Sequence, residues 1–239
     1  MALCRREKTI AAITGARDCL CLDLTQFLCG KEVELVEQVL FHWNLRKTIM
    51  GKALSDMTLE ELWKLFPIVL TEHNEIWNKW YESEQIRLYS FLPAKNVIIN
   101  HIGSTAINGI WAKPIIDILV EIPKSLSMDK VKELLVCNGY ICMSENQDRK
   151  SFNCGYTSEG FAEKVFHLHL RYEGDNDELY FRDYLNENPL LAKQYEVLKL
   201  SLWKKFEHDR DGYTSAKANF ITEQTENAKE YYDHIYRRG

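Results

Sequence analysis

The stretch HIGSTAINGIWAKPIIDILVEIP, from His101 to Pro123, joins a glycine and a serine to a lysine-proline pair and then to an aspartate set among aliphatic residues. The residues before it, Val97 to Asn100, are β-branched and polar in the manner of a strand. A strand that ends in His-Ile-Gly-Ser and then starts a helix presents backbone N–H groups to an anion, and glycine lets the backbone come close to it. Gly-Ser alone is a weak signal, because turns of every kind use both residues. Pro114 fixes the edge of the next strand, where alternation puts Asp117, Leu119 and Glu121 on one face and Ile116, Ile118 and Val120 on the other. A carboxylate in such a strand is costly to bury without a cation, a metal or a hydrogen-bond donor. Lys113 at the strand's head is one partner, and an Asp-Lys or Asp-His pair that only satisfies itself explains the residue equally well.

Working outward, the same short β-branched texture recurs in NVIIN, PIIDILVEI, YICMS, KSFNCGY and KVFHLHLRY, which predicts a sheet of about five strands. One helix, Met128 to Asn138, sits among them with Gly139 as its stop. Before the sheet, Thr58-Leu-Glu-Glu61 has the form of a capping box opening a helix with Leu59, Leu62, Trp63 and Phe66, and a second helix is expected over 69–91 with Ile76, Trp77, Trp80 and Leu88. After Tyr172 helical spacing returns in Leu191, Tyr195, Leu198, Leu202 and Phe206, and again in Ile221, Ala228, Tyr231 and Ile235. The tryptophans at 63, 77 and 80 read as core. The expected layout is α+β: a mixed sheet flanked by helices over 55–239, with a small helical or partly disordered appendage over 1–54.

Composition narrows the classes. At 239 residues, 46% hydrophobic and 27% charged, the chain is long and apolar enough for a packed core. Lys and Arg number 30 against 35 Asp and Glu, a formal charge of -5, so bulk nucleic-acid binding is not expected and any basic site must be local. Seven cysteines without a CxxC pair fit a reducing cytoplasm, and the CxC at Cys19 and Cys21, near Cys29, reads as small apolar residues rather than part of a metal site. No apolar run approaches the ~20 residues of a membrane span, and Asp18 and Asp23 interrupt the least polar part of the start, so neither a signal peptide nor an anchor is expected.

The strings His-Ile-Gly-Ser-Thr and Lys-Pro-Ile-Ile-Asp-Ile resemble the GrpB family, within the nucleotidyltransferase-fold superfamily. HLHL at 167–170, FRDYL at 181–185, YEVLKLSL at 195–202 and YTSAKANFI at 213–221 continue the resemblance, as does Glu145 with Arg149 and Phe152. It covers about 58–235. It implies a cleft over a mixed sheet in which Gly103 and Ser104, with Thr105 after them, hold nucleotide phosphates and Asp117 ligates a divalent metal. The expected activity is transfer of a nucleoside monophosphate from an NTP to an unknown small-molecule or protein hydroxyl, with Mg²⁺ as cofactor.

The chain departs from the superfamily at one decisive place: the usual second carboxylate lies two residues after the first, and that position is Leu119. Glu121 shares the face but stands about 13 Å along an extended strand from Asp117, whereas two-metal centres need ligands around ions ~4 Å apart. A catalytically inactive nucleotide- or phosphate-binding module of the same fold is therefore the alternative, and an interaction role for residues 1–54 a third reading. His167 and His169 alternate onto one strand face, about 6.6 Å apart along the chain. They are candidates to take a proton, hold a phosphate or, for His169, join Asp117 at a metal, while a structural HxH pair is the plain reading of the spacing. His101, Lys113, Arg149, Arg182, Lys199 and Lys217 complete the phosphate-binding candidates; Lys193, Lys204 and Lys205 read as a solvated helix face.

Overall fold

The computed structural model describes residues 54–93, 96–232 and Tyr236. The appendage expected over 1–54, its cysteines and Ile235 thus lie outside the described residues, apart from Leu54.

Helix α1 (Leu59–Leu65) opens on the expected capping box: Thr58 Oγ1 accepts from the Glu61 N–H, and the Glu61 carboxylate accepts from the Thr58 N–H at 2.6 Å. The next helix, α2 (Ile76–Phe91), starts seven residues later than expected. The cause is legible in Pro67-Ile-Val-Leu70: Ile68 and Leu70 are buried while Val69 is 44% exposed, a period of two, and the backbone of Thr71 pairs with that of Ala112. Trp77 is buried in the core, Trp80 packs against it, and Trp63 is only partly covered.

Five strands then form one mixed sheet: β1 (Ile98–Ile102), β2 (Ile116–Ile122), β3 (Ile141–Glu145), β4 (Arg149–Thr157) and β5 (Gly160–Tyr172), in the order β1-β2-β5-β4-β3. Only the β2–β5 pair is parallel. Helix α3 (Met128–Cys137) lies between β2 and β3 and stops before Gly139, whose φ of +88° a side chain would resist. Three helices close the chain: α4 (Asp177–Glu187), α5 (Pro189–Trp203) and α6 (Arg210–Tyr231). The fold is α+β, as expected.

The sheet's two faces differ in chemistry. Ile116, Ile118, Val120, Phe152, Leu168 and Leu170 form the main core with Trp77 and Leu88 of α2 and Val131 and Leu135 of α3. The other face carries Asp117, Leu119 and Glu121 of β2 beside His167, His169 and Arg171 of β5, register partners row by row. Leu119 and Ile102 are covered there by Leu179 of α4. No helix among the described residues is long and apolar enough to cross a membrane.

Candidate functional site

Antiparallel pairing sets Ile102 of β1 opposite Asp117 of β2, so the chain leaving β1 at Gly103 passes over the Asp117 carboxylate. An added Cβ at Gly103 would stand 2.3 Å from Asp117 Oδ2, and the backbone there has φ +72° and ψ −170°, a conformation that suits glycine alone. The helix expected after the turn is a single 3₁₀ turn, Ser104–Ala106. So short an element supplies no sustained dipole, and attraction for an anion must come from side chains.

Asp117 is 27% exposed at its side chain and lies 3.3 Å (Oδ1) from His167 Nδ1 and 3.9 Å from His169 Nε2. Burial by itself would raise its pKa, but the contacts with His167 and His169 hold it far below the ordinary carboxylate value. An ionised carboxylate can only accept, so Nδ1 of His167 carries the proton. Nε2 of the neutral ring then accepts from the Tyr156 hydroxyl at 2.8 Å. Burial, with Lys113 and Arg210 nearby, lowers the His167 pKa against the pull of Asp117, in keeping with a neutral imidazole.

Cations surround this Asp117–His167–Tyr156 chain. Lys113 and Lys217 lie 5.7 and 4.4 Å from the centre of the Tyr213 ring, Lys199 lies 4.8 Å from that of Tyr195, and the Arg210 guanidinium 5.6 Å from that of Tyr156. None of the four has a carboxylate within ion-pair distance among the described residues. Burial, then repulsion from Arg210 and Lys217, pushes Lys113 down to about 7, with Asp117 opposing. Burial and the neighbouring Lys217 bring Lys199 to about 7, and burial against the pull of Asp117 brings Lys217 to about 8. Tyr195, beside Ser104, is pushed up to about 12, chiefly by burial.

The structure therefore gathers Gly103, Ser104, Lys113, Asp117, His167, His169 and Lys217 in one recess, with Lys199 buried behind it and its ammonium donating to the Trp111 carbonyl. Other candidates lie elsewhere. His101 points to the opposite face, stacked on Tyr81, with its Nε2 3.0 Å from Thr105 Oγ1. Thr105 in turn donates to the Ile115 carbonyl, so both residues clamp the turn rather than line the recess. Arg182 donates to the His101 carbonyl on the outer edge of β1 and pairs with Asp183. Arg149 stands opposite Arg171, four residues and about 13 Å along β5 from His167, bound bidentately to Asp175. Sequence reasoning missed Tyr156, Arg210 and the site role of Tyr195 and Tyr213. Tyr195 looked like one more member of an apolar stripe; Tyr213, at i,i+4 from Lys217, was the only one with a usable signal.

The donor set does not fit the expected Mg²⁺. Mg²⁺ takes oxygen ligands, held by one or two carboxylates with substrate phosphates. Asp117 is the one carboxylate in the recess, and its Oδ1 faces His167. Leu119 is fully buried, and Glu121 is occupied by the Gly174 N–H and the Asn176 amide. No group of three His, Cys, Asp or Glu side chains among the described residues is arranged so that it could hold a metal ion.

Comparison with known proteins matches residues 67–227 to the model of the family described as GrpB protein. The chain belongs to the GrpB family. Among curated relatives it is 38% identical, over 65% of this chain and 92% of the other, to the "Glutamate-rich protein GrpB" of Alkalihalophilus pseudofirmus. Among solved structures, the conserved protein GrpB from Enterococcus faecalis superposes with a TM-score of 0.59 at 30% identity, covering 69% of this chain and 99% of that one. A looser likeness, at TM-score 0.41 and 14% identity over 62% of this chain and 46% of the other, is to the Cid1 poly(U) polymerase. The recess formed by Gly103, Asp117 and His167 lies within the GrpB-matched residues, as do the cations at 113, 199, 210 and 217.

Proposed function

We propose that this GrpB-family chain binds a nucleotide, with its phosphate groups seated in the recess between the Gly103–Ser104 turn and the lysines of the closing helices. The observation that carries this reading is the convergence of Lys113, Lys217 and Arg210 on the Asp117–His167–Tyr156 chain, without carboxylate partners at ion-pair distance among the described residues. Like charges gathered under a partial cover raise the free energy of the empty recess, and a polyanion relieves it. Phosphate oxygens accept charge-assisted hydrogen bonds from ammonium and guanidinium groups alike. Calorimetric titration with ATP, GTP, CTP and UTP tests the reading: one or more should bind, and Lys217→Met should weaken that binding by about tenfold, the ~1.4 kcal/mol of one charge-assisted contact. Absence of binding by all four nucleotides would remove it.

Nucleotidyl transfer is the second reading, favoured by the Asp117–His167–Tyr156 hydrogen-bond chain. In that reaction an acceptor hydroxyl oxygen bonds to the α-phosphorus, pyrophosphate leaves, and the hydroxyl proton passes to the imidazole of His169, whose Nε2 lies 3.9 Å from Asp117 on the same face. Incubation with α-labelled NTP and a set of hydroxyl acceptors should then move the label to an acceptor, with release of pyrophosphate, in the wild type and not in Asp117→Asn.

A further inference from the structure

The mismatch between the recess and Mg²⁺ has a consequence for how a ligand is held. We propose that the recess binds nucleoside polyphosphates without a divalent cation, the positive charge being supplied by Lys113, Lys217 and Arg210 while Asp117 serves to orient His167. This deepens the nucleotide-binding reading and rests on it.

Three observations carry the proposal. Position 119 offers a fully buried leucine, and the nearest acid on that face, Glu121, has its Oε1 spent on the Gly174 N–H at 3.1 Å and the Asn176 amide at 2.9 Å. A second carboxylate cannot reach an ion beside Asp117 without dismantling those bonds. Asp117 itself is enclosed: Oδ1 lies 3.3 Å from the His167 ring nitrogen, and Oδ2 lies under the Gly103 backbone, where an added Cβ would meet it at 2.3 Å. An octahedral ion bound at Oδ1 with its waters would have to displace the His167 ring. The surroundings are cationic as well. Lys113 feels Arg210 and Lys217 as like charges, and Lys113 and Lys217 both feel Asp117 as the single opposing one. A dication entering there meets repulsion, whereas a triphosphate meets the charges that an enzyme of this kind otherwise borrows from its metal.

Lys113 and Lys217 flank one aromatic ring, that of Tyr213, which ties β2's leading segment to α6. Both ammonium groups are thus held against one buried ring rather than carried on free surface chains. Tyr213 is buried, and its hydroxyl has no hydrogen-bond partner among the described residues.

The test is calorimetry of the full chain with ATP and with inorganic tripolyphosphate, each in Mg²⁺ and in EDTA, on wild type, Asp117→Asn, Lys113→Met and Lys217→Met, with circular dichroism confirming that each variant is folded. Binding in EDTA should be as tight as in Mg²⁺ within about threefold, Asp117→Asn should keep or strengthen it, and each lysine variant should weaken it by about tenfold. Binding that appears only with Mg²⁺, or that Asp117→Asn abolishes, overturns the metal-free proposal while leaving the nucleotide-binding reading standing. No binding of either ligand in either condition overturns both.

Discussion

Gly103 and His101 show how single residues set the geometry of the turn, and each makes a measurable claim. Gly103 combines a left-handed φ of +72° with an approach to Asp117 that leaves no room for a methyl group. Gly103→Ala must either move the turn or push the Asp117 carboxylate off the His167 ring. The expected cost is about 2 kcal/mol for the backbone alone, read as a Tm lower by several degrees, and the displacement of Asp117 adds to it. A Tm unchanged in the variant would mean that the close approach is not a constraint. His101 makes a claim about pH. Burial first, with Arg182 adding to it against Asp117, lowers its pKa to about 4. Between 6.5 and 4 the unfolded chain binds a proton that the folded chain refuses, so stability falls as pH drops through that window, by up to about 3 kcal/mol if His101 acts alone. Urea unfolding at pH 7 and pH 4.5 checks the sign: His101→Gln should flatten the fall, and an equal fall in the variant would assign it to His167, whose pKa is lowered too.

At the scale of elements, the joints between helices and sheet carry the polar energetics. Glu84 of α2 is buried, and its carboxylate receives the Tyr140 hydroxyl at 2.6 Å and the Arg87 guanidinium, while Arg87 also donates to the Asn138 carbonyl at the end of α3. Glu84→Ala leaves a buried phenol and a half-buried guanidinium unpaired, and should destabilise the domain by roughly 3 kcal/mol in chemical denaturation. A loss below 1 kcal/mol would show that water replaces the carboxylate. The elements themselves were largely legible from the sequence. All five strands, the capping box at Thr58 and the stop at Gly139 follow from period-two runs and local chemistry. The segment before α2 was misread because one cycle of alternation, Ile68 and Leu70 about Val69, is too short to separate an extended run from the first turn of the helix that Ile76, Trp77, Trp80 and Leu88 announce. The long-range Thr71–Ala112 pairing decides between the two, and no local pattern encodes it. The 3₁₀ turn after Gly103 escaped for the same reason, since only the close packing over Asp117 shows how early the helix must end.

The whole molecule assembles the recess from parts distant in sequence: a turn and Lys113 near the start of the sheet, His167 and Tyr156 from its middle strands, and Lys199, Arg210 and Lys217 from the closing helices. Strand alternation made His167 and His169 legible as one face of their strand, and Asp117 as facing away from Ile116 and Ile118 on its own, because period two needs no tertiary knowledge. Their register across the parallel β2–β5 pair, and the arrival of Arg210 and Tyr195, depend on how helices dock on the sheet, which the sequence does not display. That assembly leads to a prediction linking stability, charge and pH. Burial draws the Lys113, Lys199 and Lys217 ammonium groups down to between about 7 and about 8, so the ligand-free protein sheds protons near neutrality, with Asp117 opposing at Lys113 and Lys217 and Glu196 at Lys199. Replacing Lys217 by methionine removes a charge that burial disfavours, and should stabilise the ligand-free protein by about 1 kcal/mol, read as a Tm higher by a few degrees, while weakening ligand binding. A bound polyphosphate favours the charged lysines, so their pKa values rise in the complex and binding takes up protons. The sign follows: affinity is highest below about pH 7, where the lysines are already charged, and falls as pH rises through 8 and 9, where binding must recharge them. Tripolyphosphate titrations at pH 8 in two buffers of different ionisation enthalpy should report uptake of about one proton, and Lys217→Met should reduce it. Proton release, or affinity that climbs with pH, would mean that the lysines keep their charge in the free protein and that their crowding around Asp117 costs the fold little.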